Sequence, residues 1–125
     1  MNTKLVFSKE HIWVRFEEDG TVKIGISDYA QEQLGCVMFL NLPDEGDHIV
    51  CGEAMGDIES IKTVSDLIAP VTGTVVEINE DLCDDTSLIN ESPYESWFCS
   101  IKPEGENEEL LTEDEYAEYL NENSL

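Results

Sequence analysis

Apolar and polar residues alternate along much of the chain, and that alternation predicts strands. In "IWVRFE", Ile12, Val14 and Phe16 share one face, with Trp13, Arg15 and Glu17 on the other. After the turn pair Asp19-Gly20, "TVKIGI" repeats the pattern with Val22, Ile24 and Ile26. "SDYAQEQLG" breaks it. Ser27 suits a helix N-cap, Tyr29, Ala30, Gln33 and Leu34 fit helical spacing, and Gly35 suits the stop. "CVMFLNL" reads as a buried strand closed by Pro43 and the turn "DEGD". From residue 48 onward, "HIVC", "AMGDIES", "VSDLIAP", "GTVVEI", "SLIN" and "SWFCSIK" follow as short strand-like runs. Gly, Pro, Asn and Asp punctuate them, which indicates a mainly β sandwich or barrel. The end changes period. "LLTEDEYAEYLNE" predicts a C-terminal helix over about 112–121, in which Leu111, Tyr116, Ala117 and Leu120 share a stripe. Thr112 and Glu115 form a capping box there, and acidic residues fill the first turn.

Composition narrows the function classes. The 125 residues, 41% of them hydrophobic, suit one domain over 1–125 with its own core. A net charge of −23 repels phosphate backbones and anionic lipid, so neither nucleic acid nor membrane is an expected partner. The opening "MNTKLVFSKEHIW" lacks a secretory apolar core and an Arg-rich leader. A cytoplasmic location is expected, or an organellar one if a leader has been removed. Cys36, Cys51, Cys83 and Cys99 are singly and widely spaced, and His11 and His48 are far apart. That spacing suits reduced thiols rather than a metal site.

One basic residue stands out. Lys62 is the only Lys or Arg between Lys23 and Lys102 in a chain with six of them. It falls between two strand-like runs, at the tip of a tight hairpin, and most lone lysines are plain surface charges. Here β-branched Ile61, Thr63 and Val64 surround it, which stiffens the backbone where Gly, Asn or Asp usually bend it. A nucleophilic or Schiff-base lysine needs desolvation or a neighbouring cation. Lys62 instead has Glu59 and Asp66 nearby, a setting better suited to modification by another enzyme.

The segment "ESIKTVSDLIAPVTGTVVEIN" resembles the lipoylation segment of the glycine cleavage H-protein family. "FSKEHIWV", "VKIGISDYAQEQLG", "NLPDEGD", "SLINESPY" and "WFCSIKP" follow in that family's order, so the likeness spans nearly the whole chain. The resemblance implies a barrel-sandwich hybrid of the biotinyl/lipoyl-carrier type, with a short internal helix and a C-terminal helix. It implies lipoate in amide linkage on Lys62, with Glu59, Ser65 and Asp66 flanking it for recognition or arm docking. His11 and Glu10 are further contributors. It also implies a non-catalytic carrier, expected to be monomeric, that moves the aminomethyl group of glycine between glycine decarboxylase, aminomethyltransferase and dihydrolipoyl dehydrogenase. A lipoate ligase or lipoyl transferase would load it.

The match departs from the family at Ile12, where the usual residue is Glu, at Cys36 and at Thr63. Ile12 supplies neither charge nor acceptor. Three readings stay open on the sequence. They are the glycine cleavage carrier, an H-like carrier acting as lipoyl donor or in another lipoate-dependent pathway, and an unmodified acidic interaction module. Biotin is disfavoured, because Ile61 and Thr63 stand where biotin carriers usually place methionines.

Overall fold

The structure, a computed structural model, describes residues 5–107 and 110–123, without the side chains of residues 83, 105–107 and 123. Nine strands form two antiparallel sheets. The larger is built from β1 (Leu5–Phe7), β2 (Ile12–Phe16), β3 (Val22–Ile26), β9 (Cys99–Asn107), β8 (Val71–Ile78) and β5 (His48–Ile49), in that spatial order. The smaller runs β4 (Val37–Asn41), β6 (Ala54–Ser60), β7 (Val64–Ile68). Four helices complete the described residues: α1 (Asp28–Leu34), α2 (Glu80–Asp84), α3 (Ser87–Glu91) and α4 (Glu113–Asn123). This is the mainly β barrel-sandwich that the sequence predicts.

The main core joins the inner faces of the two sheets, with Val14, Ile24, Ile58, Leu67 and Ile101 all essentially inaccessible to solvent. A second cluster of Phe7, Trp13, Leu111 and Tyr116 lies between the outer face of β2 and α4. It corrects the simple alternation expected for "IWVRF". Trp13 is as buried as its neighbours, because α4 covers it on the outside, while Phe16 has left the core and is 54% exposed. The Trp13 indole N–H donates to the Pro93 carbonyl at 2.9 Å. Its ring lies flat on Gly25, where any Cβ would come within 2.6 Å of Trp13 Cε2.

α1 begins and ends as the sequence predicts. The Ser27 hydroxyl accepts from the Ala30 N–H, and Gly35 closes the helix at φ +75° with its N–H on the Gln31 carbonyl. The capping box of α4 is equally direct. Glu115 accepts from the Thr112 N–H at 2.9 Å, and the Thr112 hydroxyl accepts from the Glu115 N–H at 3.2 Å.

Three further expectations are corrected. "SLIN" is helix α3 rather than a strand, held by local polar contacts: the Ser96 hydroxyl donates to the Leu88 and Ser92 carbonyls. "CVMFLNL" is only half buried. A register shift between Val37 and Phe39 turns Met38 and Phe39 outward while Val37 and Leu40 stay in the core. "HIVC" contributes only His48 and Ile49 to a strand, because the chain turns again at Cys51-Gly52.

Candidate functional site

Lys62 sits at the tip of the β6–β7 hairpin, in register Glu59↔Val64 and Ile58↔Ser65. The tip is short and tied down. The Ser60 N–H donates to the Thr63 carbonyl at 2.8 Å, and the Ser60 hydroxyl accepts from the N–H groups of Lys62 and Thr63 while donating to the Thr63 carbonyl. One side chain thereby serves two N–H groups and a carbonyl of the turn, in a place where no Gly or Asn supplies a bend. Ser60 is itself buried, so the clamp is shielded from competing water.

The tip is also anchored from outside the hairpin. The Ile61 N–H donates to the Cys36 carbonyl at 3.0 Å, in the loop between α1 and β4. Asn90 of α3 holds that loop in turn. Its side-chain amide donates to the Gly35 carbonyl at 2.8 Å, and its oxygen accepts from the Val37 N–H at 3.0 Å. Thr86 adds a bond to the Val37 carbonyl. The lysine thus rests on a chain of contacts leading from α3 through residues 35–37 to the hairpin. Lys62 is exposed, and its aliphatic stem passes over Gly35, with Cε 3.3 Å from where a Cβ would stand. Ile61 and Val64 flank it, 71% and 59% exposed.

Beside this tip is a cleft of about 260 Å³ between β7, α1 and the turn into β2. Its walls are apolar, from Ile12, Ile26, Leu34, Ile58 and Leu67. Its polar groups include Glu10, His11, Ser65 and Asp66, with Tyr29 and Gln33 of α1 beside them. Two adjacent pairs, Glu10-His11 and Ser65-Asp66, more than fifty positions apart in sequence, therefore meet in one place. Glu59 does not join them; it lies on the other face of β6 from Ile58 and does not line the cleft.

His11 is held unusually. Its backbone has φ +71°, in the left-handed region, pinned by its N–H on the Ser8 carbonyl and its carbonyl on the Ser27 N–H. The Ser8 hydroxyl accepts from the N–H groups of Glu10 and Ile12 and closes the turn. Burial pulls the His11 imidazole below its ordinary pKa, with the Glu10 carboxylate opposing in part. The ring therefore favours its neutral form, and the carboxylates of Glu10 and Asp66 give the cleft its charge. No Lys or Arg lines it.

The donor set fits an elongated, largely apolar group that ends in an amine or another cation. Apolar walls would take the chain, and carboxylates would take the head. Sequence reasoning located Lys62 and the polar residues of the cleft but missed Ser60, Gly35 and Asn90 as supports. No spacing signals Asn90, whose partners lie more than fifty residues away. Ser60 was readable in principle, as a hydroxyl two positions before an unsatisfied turn N–H.

A short, tied-down hairpin presents one exposed lysine on a barrel-sandwich, beside a cleft with an acidic end, an arrangement found in a carrier class rather than in an enzyme active site. The profile of the family described as "Glycine cleavage H-protein" matches residues 5–123, and the chain belongs to that family. Members of the family are lipoyl-bearing carriers of glycine cleavage. The chain is 52% identical over 116 residues to the "Glycine cleavage system H protein" of Lachnoclostridium phytofermentans, covering 93% of this chain and 91% of that one. It is 50% identical over 127 residues to the protein of the same name from Geobacillus thermodenitrificans, covering 98% and 99%. Its fold matches the crystal structure of a glycine cleavage system H protein from Mycobacterium marinum with a TM-score of 0.87 at 37% identity, over the full length of both chains.

Proposed function

We propose that this chain carries lipoate on Lys62 and shuttles the aminomethyl group of glycine between glycine decarboxylase, aminomethyltransferase and dihydrolipoyl dehydrogenase, without catalysing a step itself. The observation that carries this reading is an exposed amine on a doubly anchored hairpin, beside an apolar cleft whose polar end is acidic. When attached, lipoate supplies a cyclic disulfide that a nucleophile opens and an oxidant recloses. The protein's part is positional. The Ser60 clamp fixes the pivot, the cleft walls exclude water, and the carboxylates of Glu10 and Asp66 favour a cationic amine over neutral alternatives. Tethering replaces free diffusion between active sites with a high local concentration.

A lipoate ligase or lipoyl transferase loads the lysine in this scheme, and the protein works as a cytoplasmic monomer over a single domain, 1–125. No helix among the described residues is long and apolar enough to cross a membrane.

Ile12 supports a second reading, that of an H-like carrier acting as lipoyl donor. It is buried in the cleft wall and offers no acceptor to a charged head group.

Intact-mass measurement on protein from its native host tests the attachment. The expected result is one lipoyl increment on Lys62, absent from Lys62→Ala. Loaded protein is then given to its decarboxylase with glycine. Turnover supports the shuttle, whereas onward transfer of lipoate without glycine turnover supports the donor reading. A bare lysine in active native protein rejects both.

A further inference from the structure

α1 has two working faces. Ala30, Gln33 and Leu34 line the cleft beside Lys62, while Asp28 and Glu32, one turn apart, point to the opposite side. There a second, larger groove of about 540 Å³ opens between α1, the turn at residues 93–95 and α4. Its aromatic surface comes from Tyr29 and Tyr94 over a floor of Phe7 and the buried Tyr116 stacked on it. Leu5, Ala117 and Leu120 add apolar surface, and its carboxylates come from Asp28, Glu32 and Glu113. No basic residue lines it. The glycine cleavage reading leaves this groove without a role.

We propose that the groove is a docking site for an arginine-bearing segment of a partner protein. Tyrosine faces attract a guanidinium through their quadrupoles, and a planar guanidinium stacks on a ring while its edge donates to carboxylates. Aromatic walls and carboxylates together select a cation with a flat, weakly hydrated body. Asp28 already accepts from the Gln31 side-chain amide at 2.9 Å, so Glu32 and Glu113 are the carboxylates a guanidinium would meet, and a bare anion would be repelled. The Asp28 N–H donates to the Tyr94 hydroxyl at 3.0 Å, which holds the ring beside the start of α1, and Asp28, Glu32 and Glu113 place three carboxylates around the rings. The volume lies within the range of small-ligand sites and accommodates one or two long side chains.

A second copy of this chain is a poor occupant. Six Lys plus Arg face 29 Asp plus Glu, so copies repel one another. Two of the basic residues, Arg15 and Lys23, are already paired with Glu17 at 3.5 and 2.9 Å. Location favours a working partner. Tyr29 lines both the groove and the cleft, so a segment seated in the groove sits one helix away from the place where an arm on Lys62 would rest. That a partner exists rests on the shuttle reading, but the chemistry of the groove does not.

The probe is the peptide acetyl-Leu-Arg-Arg-Leu-amide, titrated into the full chain while backbone amide NMR shifts are followed, with its citrulline counterpart as the uncharged control. Saturable shifts are expected at Tyr29, Tyr94 and Ala117, with the citrulline peptide about tenfold weaker or worse. Glu32→Gln/Glu113→Gln, at exposed positions, is expected to weaken the arginine peptide by a similar factor. Asp44→Asn/Glu45→Asn, in an exposed loop between β4 and β5, is expected to leave it unchanged. Equal loss in both double variants, or shifts spread over the acidic surface, means diffuse charge attraction and overturns the proposal. Equal binding of both peptides overturns it too. The same titration on Lys62→Ala separates the two readings. Groove binding that persists there stands whether or not the lysine proves to be modified.

Discussion

The hydroxyl of Tyr116, on α4, lies 2.8 Å from Nδ1 of His11, in the turn that leads into β2. The same hydroxyl lies 2.7 Å from the Ser27 hydroxyl, which caps α1. A single buried phenol thus joins the last helix to the cleft residue His11 and to the start of the helix that separates cleft from groove. Its ring stacks on Phe7 with centroids 4.3 Å apart, and burial pushes its pKa up to about 12.

Tyr116→Phe keeps the stacked ring and removes both polar contacts. The expected cost is about 1–3 kcal/mol, because the His11 and Ser27 groups lose a buried partner. Urea unfolding measures it, and faster amide exchange is expected at the start of α1. A cost near zero means that water replaces the phenol at no loss, and the link between α4 and the cleft is then incidental.

Stability should fall on mild acidification through His11. The folded state holds the imidazole below its ordinary value of 6.5, so the unfolded chain takes up the proton first as pH drops. The contribution is complete above 6.5 and is lost as pH falls through the lower folded value. His11→Asn tolerates the left-handed backbone and carries no titrating group. It is expected to flatten the slope of unfolding free energy as pH falls below 6.5. An unchanged slope assigns that titration to another group.

Gly35→Ala tests the loop under the lysine. At φ +75°, ψ −150° the backbone occupies a region open almost only to glycine. The added methyl would meet Lys62 Cε at 3.3 Å, but that flexible stem can swing aside. Backbone strain therefore dominates, and an expected loss of about 1–3 kcal/mol should appear in the urea midpoint. A neutral result would place the strain elsewhere.

Ser60→Ala removes the clamp of the hairpin tip and leaves the Lys62 and Thr63 N–H groups without their acceptor. Amide exchange at residues 61–63 should rise at least about tenfold, with a stability loss of about 1–2 kcal/mol. Modification of Lys62 by a lipoate ligase should slow at the same time. Unaltered exchange at the tip would show that the Cys36 carbonyl holds it alone.

The thiols should separate cleanly under a maleimide reagent at neutral pH. Cys36 is exposed and is expected to react within the native state. Cys99 is buried, and burial drives its pKa up to about 12, so it should react only at the rate of unfolding. Peptide mapping after brief labelling distinguishes the two. Fast labelling of Cys99 would reveal an opening near β9.

The strands and caps were legible because they rest on local chemistry. Val22, Ile24 and Ile26 alternate, Ser27 and Gly35 bracket a helix, and Thr112 and Glu115 cap another, all within a few residues of one another. Lys62 was legible for the opposite reason, as a charge that its surroundings do not explain. What the sequence hid depends on distant partners. Trp13 reads as an outward residue until α4, a hundred positions later, covers it. Leu88 and Ile89 look like strand, yet carbonyls capped by Ser96 and the reach of Asn90 to Gly35 favour a helix. The cleft itself was half visible. The residue types of its polar members point to it, but only the fold, which sets β7 and α1 on two sides of one cleft, gives them a common space.

The double tether of the hairpin tip, to Ser60 within and to Cys36 outside, sets a geometric limit on traffic. A pivot that does not wander fixes the centre of the sphere that anything grafted onto Lys62 can sweep. Under the proposed shuttle, every client enzyme would have to bring its own active site inside that sphere, and bulky clients would compete for the same small volume around one fixed point.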